Sequence, residues 1–201
     1  MWKVLHSVAA APPALLRANS AVLITFLRCL KQVLPCVYCR DSYANFLTEL
    51  PDLQQTVEQG RLFEWMFRLH SKVNQKLKVP DPEFERVQKR YAIRPVQWCA
   101  NDVWDLVALF GINYSSSKTE VYRVWWETFI EILRLAGADA RQLNLMRQVE
   151  CPCSNGAFVA TSLLLKSAHE GRLAPSREEL DKQTRLYALA KAKTCANGGC
   201  K

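Results

Sequence analysis

The sequence is poor in three features that would assign it to common protein classes. Only 7 of its 201 residues are glycine and no Gly-X-Gly-X-X-Gly pattern occurs, so a glycine-rich phosphate-binding loop is not expected. No apolar run reaches the ~20 residues that a membrane-spanning helix needs. The N-terminus has no basic region followed by an apolar stretch, so we expect neither a secretory signal nor a membrane span.

The composition is otherwise that of a protein with a sizeable core and a basic surface. Hydrophobic residues make up 49% of the sequence, enough to bury a core without disulfides or metals. The 27 Lys and Arg residues exceed the 19 Asp and Glu residues, which gives a net charge of +8. Such a charge favours an anionic partner, whether nucleic acid, a membrane surface or a phosphorylated cofactor, and does not choose among them.

Hydrophobic residues recur at helical spacing along nearly the whole sequence, and prolines separate the repeats. The clearest stripes lie at 22–34 and 62–77, and no convincing run of strands occurs. We therefore expect an all-α protein. Pro95 is the best candidate for a domain boundary, which would divide the sequence into a helical bundle at 1–94 and a second helical domain, with a mobile tail, at 95–201.

Local signals in the second half predict two helix starts and part of the core. Ser117 with Glu120, and Ser176 with Glu179, have the spacing of capping boxes. Four tryptophans at helical spacing are expected in the core rather than in a binding site; they are Trp98, Trp104, Trp125 and Trp126.

The sequence contains eight cysteines, and their placement is uneven. Six of them form three close pairs: Cys36 with Cys39, Cys151 with Cys153, and Cys195 with Cys200. Close pairs are typical of redox chemistry or of metal binding.

Cys36 and Cys39 follow Pro35 at a predicted helix start. Two intervening residues place the sulfurs within bonding distance, and the helix N-terminus stabilises a thiolate there. A reversible dithiol needs this, because the thiolate attacks and the thiol of lower pKa leaves more readily. The alternative is half of a zinc site, although neither other pair has ordinary zinc spacing. A thioredoxin-like fold would need a βαβ alternation that is missing.

A second motif lies on the predicted helix at 62–77. His70 and Asn74 are four residues apart, so they project from one helical face. Together they could stack against a flat heterocycle and form hydrogen bonds with it. An amphipathic helix that carries a surface histidine and asparagine is the alternative.

These motifs together resemble the Erv/ALR family of FAD-linked sulfhydryl oxidases. That family combines Pro-Cys-X-X-Cys, here at 35–39, with Trp-X-X-X-X-His-X-X-Val-Asn-X-X-Leu, here at 65–77. Residues 2–9 look like the family's first-helix signature, Trp-X-X-Leu-His-X-X-Ala, and 80–91 look like the segment that closes its flavin pocket. The resemblance covers residues 1–91.

The resemblance implies a helical bundle that holds FAD noncovalently and oxidises protein thiols, passing electrons to oxygen with formation of hydrogen peroxide and without a metal. By the family pattern, Cys36 is the interchange thiol and Cys39 lies against the isoalloxazine. The residues that match flavin-contacting positions are Trp2, His6, Tyr43, His70, Val73 and Asn74, with looser matches at Lys76, Lys78 and Tyr91.

The sequence departs from the family in three places. Ser71 stands where the family has asparagine, and Lys78-Val79-Pro80 stands where it has Gly-Lys-Pro. The family's later structural cysteine pair is absent from 82–94.

Family members often carry a second, mobile pair of cysteines that shuttles electrons. Cys195 and Cys200 are the first candidates, because they lie in a glycine-containing tail beside Lys193 and Lys201, whose charges favour thiolate. Cys151 and Cys153 are the second, since a Cys-X-Cys disulfide is strained and therefore oxidising. Unreactive surface thiols, or a local structural pair, are the respective alternatives.

The resemblance also bears on partners and location. Family members are commonly homodimers through the flavin bundle, and the added helical domain could supplement or replace that interface. Such domains occur in members from large DNA viruses, so the host cytoplasm or virion is expected for a viral protein and the mitochondrial intermembrane space for a cellular one. No nucleic-acid partner is expected. Two other functions stay open: a basic helical binding protein with zinc-bound cysteines, and an inactive assembly protein with this fold.

Overall fold

The structure, a computed structural model, describes residues 1–92 and 100–196. All regular structure in these ranges is helical, as predicted. The α-helices are α1 (Trp2–Ala9), α2 (Pro13–Ala18), α3 (Ser20–Val33), α4 (Val37–Glu49), α5 (Leu53–Glu58), α6 (Leu62–Leu77), α7 (Phe84–Ala92), α8 (Ala100–Gly111), α9 (Thr119–Ala136), α10 (Ala140–Arg147), α11 (Asn155–Glu170) and α12 (Arg177–Ala196). None of them, over the described residues, has both the length and the apolar character required to cross a membrane.

The predicted hydrophobic stripes form the core of the first bundle. Leu23, Phe26, Leu27 and Leu30 on α3 are all buried, and so are Leu62, Met66 and Leu69 on α6. Trp65 on α6 is buried too, and its indole nitrogen donates a hydrogen bond to the Pro51 carbonyl at 3.0 Å. This tryptophan of the second motif therefore holds α6 against the end of α4.

Helix α9 packs across α1 and α3, so the second half of the chain shares one hydrophobic core with the first. Phe26 on α3 stacks on Phe129 of α9 with ring centroids 6.0 Å apart. The Asn113 amide donates to the Gln32 carbonyl near the end of α3 at 2.8 Å. Pro95 lies outside the described residues, and the division into two domains stays a prediction.

The second half is built around α8, α9 and α11. Trp104, Trp125 and Trp126 are buried, which confirms their prediction as core residues; Trp98 lies outside the described residues. A Cβ at Gly111 would overlap the Phe158 side chain, so glycine is what lets the end of α8 approach α11 this closely.

One predicted capping box is confirmed and the other is wrong. Ser176 and Glu179 bond each other's backbone N–H at 3.0 and 3.2 Å, as a capping box requires. Ser117 instead lies in a 3₁₀ turn, Ser116–Lys118, that precedes α9, and that helix has no side-chain cap. Glu120 forms an ion pair with Arg123 on the same helix, so it does not reach back to the helix start.

The end of α6 contains a strained residue. Lys78 has φ 55° and ψ 37°, the left-handed conformation, and it alone among the described non-glycine residues has a positive φ. A Cβ is disfavoured there by roughly 1–2 kcal/mol. The position is also where the sequence departs from the Gly-Lys-Pro pattern.

Replacing Lys78 with glycine is expected to raise the free energy of unfolding by about 0.5–1 kcal/mol, because relief of the left-handed strain exceeds the entropy that glycine loses on folding. Urea unfolding measures the change. Lys78→Ala is the matched control, since it removes the charge and keeps the Cβ. A gain in Lys78→Ala as large as that in Lys78→Gly would contradict the assignment of strain.

Candidate active site

The two cysteines of the first motif lie at the start of α4, after a short connection from α3. Cys36 immediately precedes the helix with an extended backbone, φ −93° and ψ 129°, and Cys39 lies in the first turn. The Arg40 guanidinium donates to the carbonyls of Leu34 at 2.7 Å and Pro35 at 3.4 Å. The connection is thereby fixed, and both a cation and a helix N-terminus lie next to the cysteines, an environment that favours thiolate.

The two thiols differ in exposure. Cys36 is 4% exposed, whereas Cys39 is half-buried. Between them, the side chains of Val37 and Tyr38 are exposed on the surface. The thiol that the family pattern assigns to substrate is thus the more enclosed of the two, and an exposed apolar patch lies beside it.

Cys39 lines an apolar cavity of about 390 Å³, here called the thiol cavity. Trp2 from α1 and Val73 from α6 form other parts of its wall. Tyr43 also lines it, with its hydroxyl donating to the Leu27 carbonyl at 2.8 Å. Lys76 reaches the cavity from α6, and its ammonium donates to the Tyr38 carbonyl at 3.2 Å.

A second cavity of about 390 Å³, here called the polar cavity, lies on the other side of α6. His70 and Asn74 line it, as expected for one helical face. Asp81, which the sequence did not identify, also lines it and accepts hydrogen bonds from the Asn74 amide at 2.9 Å and from the Ser71 hydroxyl. These bonds lower the pKa of Asp81. The serine found in place of the family asparagine therefore helps to hold a carboxylate in the site.

Stacked rings lie between the two cavities. The Trp2 and His70 rings are nearly parallel with centroids 3.9 Å apart, and Trp2 lines the thiol cavity while His70 lines the polar cavity. His6 Nε2 lies 3.1 Å from His70 Nδ1, and the His6 ring stacks on Tyr91 at 5.2 Å. Three predicted positions, on α1, α6 and α7, thus meet at His6.

Both histidines favour the neutral form. Burial, and then the neighbouring charge of His70, lowers the pKa of His6 to about 4. Burial also lowers the pKa of His70, although Asp81 acts in the opposite direction. At neutral pH one neutral ring donates to the other, so the pair links α1 to α6 without a buried charge.

The two cavities fit a flavin nucleotide. Each has the volume of a small-ligand site. An apolar cavity beside a thiol suits a flat heterocycle, and the polar cavity is lined by Arg86 and Arg90, which suit phosphate. His6 Nδ1 is buried and has no hydrogen-bond partner among the described residues, so a polar acceptor or donor is available to a ligand. Asp81 suits hydroxyl groups rather than phosphate.

Lys78 does not join this arrangement. It lines neither cavity and its side chain is exposed. Its role as a cofactor contact stays a prediction.

Cys29, Cys151 and Cys153 do not line the cavity that contains Cys39. Cys151 and Cys153 line a separate cavity of about 520 Å³ beside α9. The Cys151 thiol donates to the Tyr122 carbonyl at 3.3 Å, and burial raises its pKa to about 12, with Glu127 adding to the effect. Cys153 is exposed. Cys195 lies in the last turn of α12, and Cys200 lies outside the described residues.

Among the side chains that the structure describes, no three of His, Cys, Asp or Glu are grouped so that they could hold a metal ion. The side chains of Cys99, Cys195 and Cys200 are not among them.

Two groups of site residues were not predicted from the sequence. The first is Asp81, for which the only local indication is a carboxylate between two prolines just after α6. Leu106, Leu109 and Phe110 on α8 line the thiol cavity from the second half of the chain. No local pattern could have placed them there, because the contact depends on the tertiary packing of α8.

Comparison with known proteins matches residues 1–92 to the Erv1 / Alr family. The chain is 33% identical over 92 residues to the mitochondrial FAD-linked sulfhydryl oxidase ERV1 of Saccharomyces cerevisiae, an alignment that covers 45% of this chain and 47% of that protein. It is 31% identical over 96 residues to a protein of Invertebrate iridescent virus 3 named "Putative FAD-linked sulfhydryl oxidase 096R", covering 46% and 63% respectively. The chain therefore spans about half to two-thirds of these relatives. No solved structure matches it significantly.

The buried histidine should make stability depend on pH. The pKa of His6 falls from 6.5 to about 4 on folding. Between these pH values the unfolded chain binds a proton at His6 that the folded chain does not. The free energy of unfolding is therefore unaffected by His6 above pH 6.5 and decreases as the pH falls toward 4. Between pH 7 and 5, wild type should lose about 2 kcal/mol more unfolding free energy than His6→Gln.

Urea unfolding at the two pH values measures this difference. Val8→Ala, also on α1 and buried, is the control, because it destabilises the helix packing without removing a titrating group. Equal pH dependence in wild type and His6→Gln would show that His6 is not responsible.

Proposed function

We propose that this chain is an FAD-linked sulfhydryl oxidase that forms disulfides through Cys36 and Cys39, because residues 1–92 match the Erv1 / Alr family. One observation carries the proposal. Cys39 lines an apolar cavity whose wall contains Trp2 and Val73, which come from the two other family motifs. Three motifs that are far apart in sequence thus converge on one thiol.

The protein's own step is thiol–disulfide exchange. A substrate thiolate attacks Cys36 Sγ of the Cys36–Cys39 disulfide, and Cys39 leaves as a thiolate. The second substrate thiol then displaces Cys36, so the substrate forms a disulfide and the protein holds a dithiol. Two electrons and two protons have passed to the cysteine pair.

When bound, FAD supplies the two-electron acceptor that reoxidises the dithiol and delivers the electrons to oxygen, which gives hydrogen peroxide. The chain's residues position it. Trp2, Tyr43 and Val73 offer apolar surface beside Cys39, while His70 and Asn74 offer polar groups at the polar cavity. Lys76 adds a positive charge at the cavity that contains Cys39.

The burial of Cys36 limits which thiols can react. Cys36 is only 4% exposed, so it offers little surface to an approaching thiol. The exposed Val37 and Tyr38 offer an apolar surface beside it on which an extended substrate segment could rest. This arrangement favours flexible peptide thiols over thiols held in a folded surface.

Removing either cysteine of the pair should abolish turnover. Cys36→Ser and Cys39→Ser are expected to reduce dithiothreitol oxidation by about a hundredfold or more, because a serine hydroxyl cannot form the disulfide. Oxygen consumption and peroxide formation measure the rate. Cys29→Ser, on α3 and half-buried, is the matched control and should stay within about twofold of wild type.

The same preparation separates the alternative functions. If a Cys39→Ser protein oxidised thiols at the wild-type rate, the proposed mechanism would be wrong. If wild type contained zinc and no flavin, the result would support a zinc-containing binding protein. If it contained flavin but consumed no oxygen, the result would support an inactive assembly protein.

For the electron shuttle we propose Cys195 and Cys200 rather than Cys151 and Cys153. The Cys151 thiol is a hydrogen-bond donor with a pKa of about 12, so at neutral pH it is both a poor nucleophile and a poor leaving group. Cys195 and Cys200 are flanked in the sequence by Lys193 and Lys201, whose positive charges favour thiolate.

The two pairs can be compared with a reduced protein substrate and with dithiothreitol. Cys195→Ser should slow oxidation of the protein about tenfold and leave dithiothreitol oxidation unchanged, because only the large substrate needs a relay. Cys151→Ser should alter neither rate by more than about twofold. The reverse pattern would assign the shuttle to the pair beside α9.

The expected homodimer also stays a proposal. Helix α9 already covers faces of α1 and α3 within one chain, so a dimer through the bundle would have to use the remaining surfaces. This packing supports the idea that the added helices replace part of the family's interface.

A further inference from the structure

Helix α8 contributes to the cavity that contains Cys39, although it lies outside the residues that match the family. Leu106, Leu109 and Phe110 line the thiol cavity together with Trp2 and Cys39. Nothing in the family resemblance assigns a role to this helix.

We propose that α8 forms one wall of the flavin site and that Leu109 packs against the ring end of FAD. The inference rests on the proposed function. It makes the second half of the chain part of the cofactor site, so that residues 1–92 alone would hold an incomplete one.

The exposure of Leu109 supports this role. Its side chain is 36% exposed, while Val103, Trp104 and Val107 on the same helix are fully buried. An apolar side chain at the edge of an apolar cavity becomes more buried when a flat ring fills that cavity, and burial of this kind is favourable. Leu109 is therefore placed to gain contact on binding.

The wall is fixed in place by the rest of the second half. The Phe110 carbonyl accepts a hydrogen bond from the Tyr122 hydroxyl at 2.8 Å, and the Phe110 ring lies 4.8 Å from Trp125. Helix α8 also packs along α11. A rigid wall needs little reorganisation on binding, which favours affinity.

The chemistry of the cavity selects the ring end of the cofactor. Its described lining is almost wholly apolar, and Lys76 is its one charged residue. The arginines that suit phosphate, Arg86 and Arg90, line the polar cavity instead. The isoalloxazine is the part of FAD that an apolar cavity beside a thiol would accept.

Titration of cofactor-stripped full-length protein with FAD tests the inference. Leu109→Asp should weaken binding about tenfold, because a carboxylate would face the ring. Leu109→Trp should weaken it at least as much by filling the cavity, without adding charge. Leu164→Asp, on α11 and 47% exposed, is the control and should bind like wild type.

A spectroscopic readout checks that α8 meets the ring itself. The visible absorption band of a flavin shows a resolved shoulder in apolar surroundings, and Leu109→Asp with saturating FAD should lose that shoulder. Wild-type affinity and band shape in both Leu109 variants would overturn the inference while the oxidase proposal stood. An equal loss in Leu164→Asp would also overturn it. If the wild-type protein bound no FAD, the proposed oxidase function itself would be contradicted.

Discussion

The contact between His6 and His70 is the constraint on which the rest of the site depends. It joins α1 to α6 across 64 residues of sequence through one 3.1 Å hydrogen bond, and it brings Trp2 into a stack with His70. Since the thiol cavity and the polar cavity lie on either side of this stack, the position of α1 relative to α6 sets the space available on both sides. Two charged imidazoles could not be buried together, so the lowered pKa of each histidine is a condition for this geometry.

Much of the fold and half of the site could be predicted because their signals are local. Periodicity assigned α3 and α6, and most residues of their hydrophobic stripes are buried as expected. The four-residue spacing of His70 and Asn74 predicted a shared helical face, and both line the polar cavity. The capping box predicted at Ser117 was wrong, because the 3₁₀ turn found there depends on how the chain enters the next helix.

Long-range features left no trace that a single sequence could show. Asp81 became part of the site because Ser71 and Asn74 donate to it from the preceding helix. The burial of Cys36 and the presence of Leu109 in the thiol cavity both depend on tertiary packing. A sequence motif determines which residue types lie near one another along a helix. The exposure of each side chain depends instead on which other helices pack over it.

The second half of the chain packs against the first and shares its hydrophobic core. Helix α9 buries faces of α1 and α3 that would otherwise be exposed apolar surface. Asn113 and Lys118, which precede that helix, both donate to the Gln32 carbonyl, four residues before Cys36. The connection that leads from α3 to the redox pair is thus held at both ends: Arg40 on α4 donates to the Leu34 and Pro35 carbonyls, and the segment before α9 bonds the last turn of α3. Because thiol exchange requires Cys36 to become accessible, these same bonds set how far the connection can move.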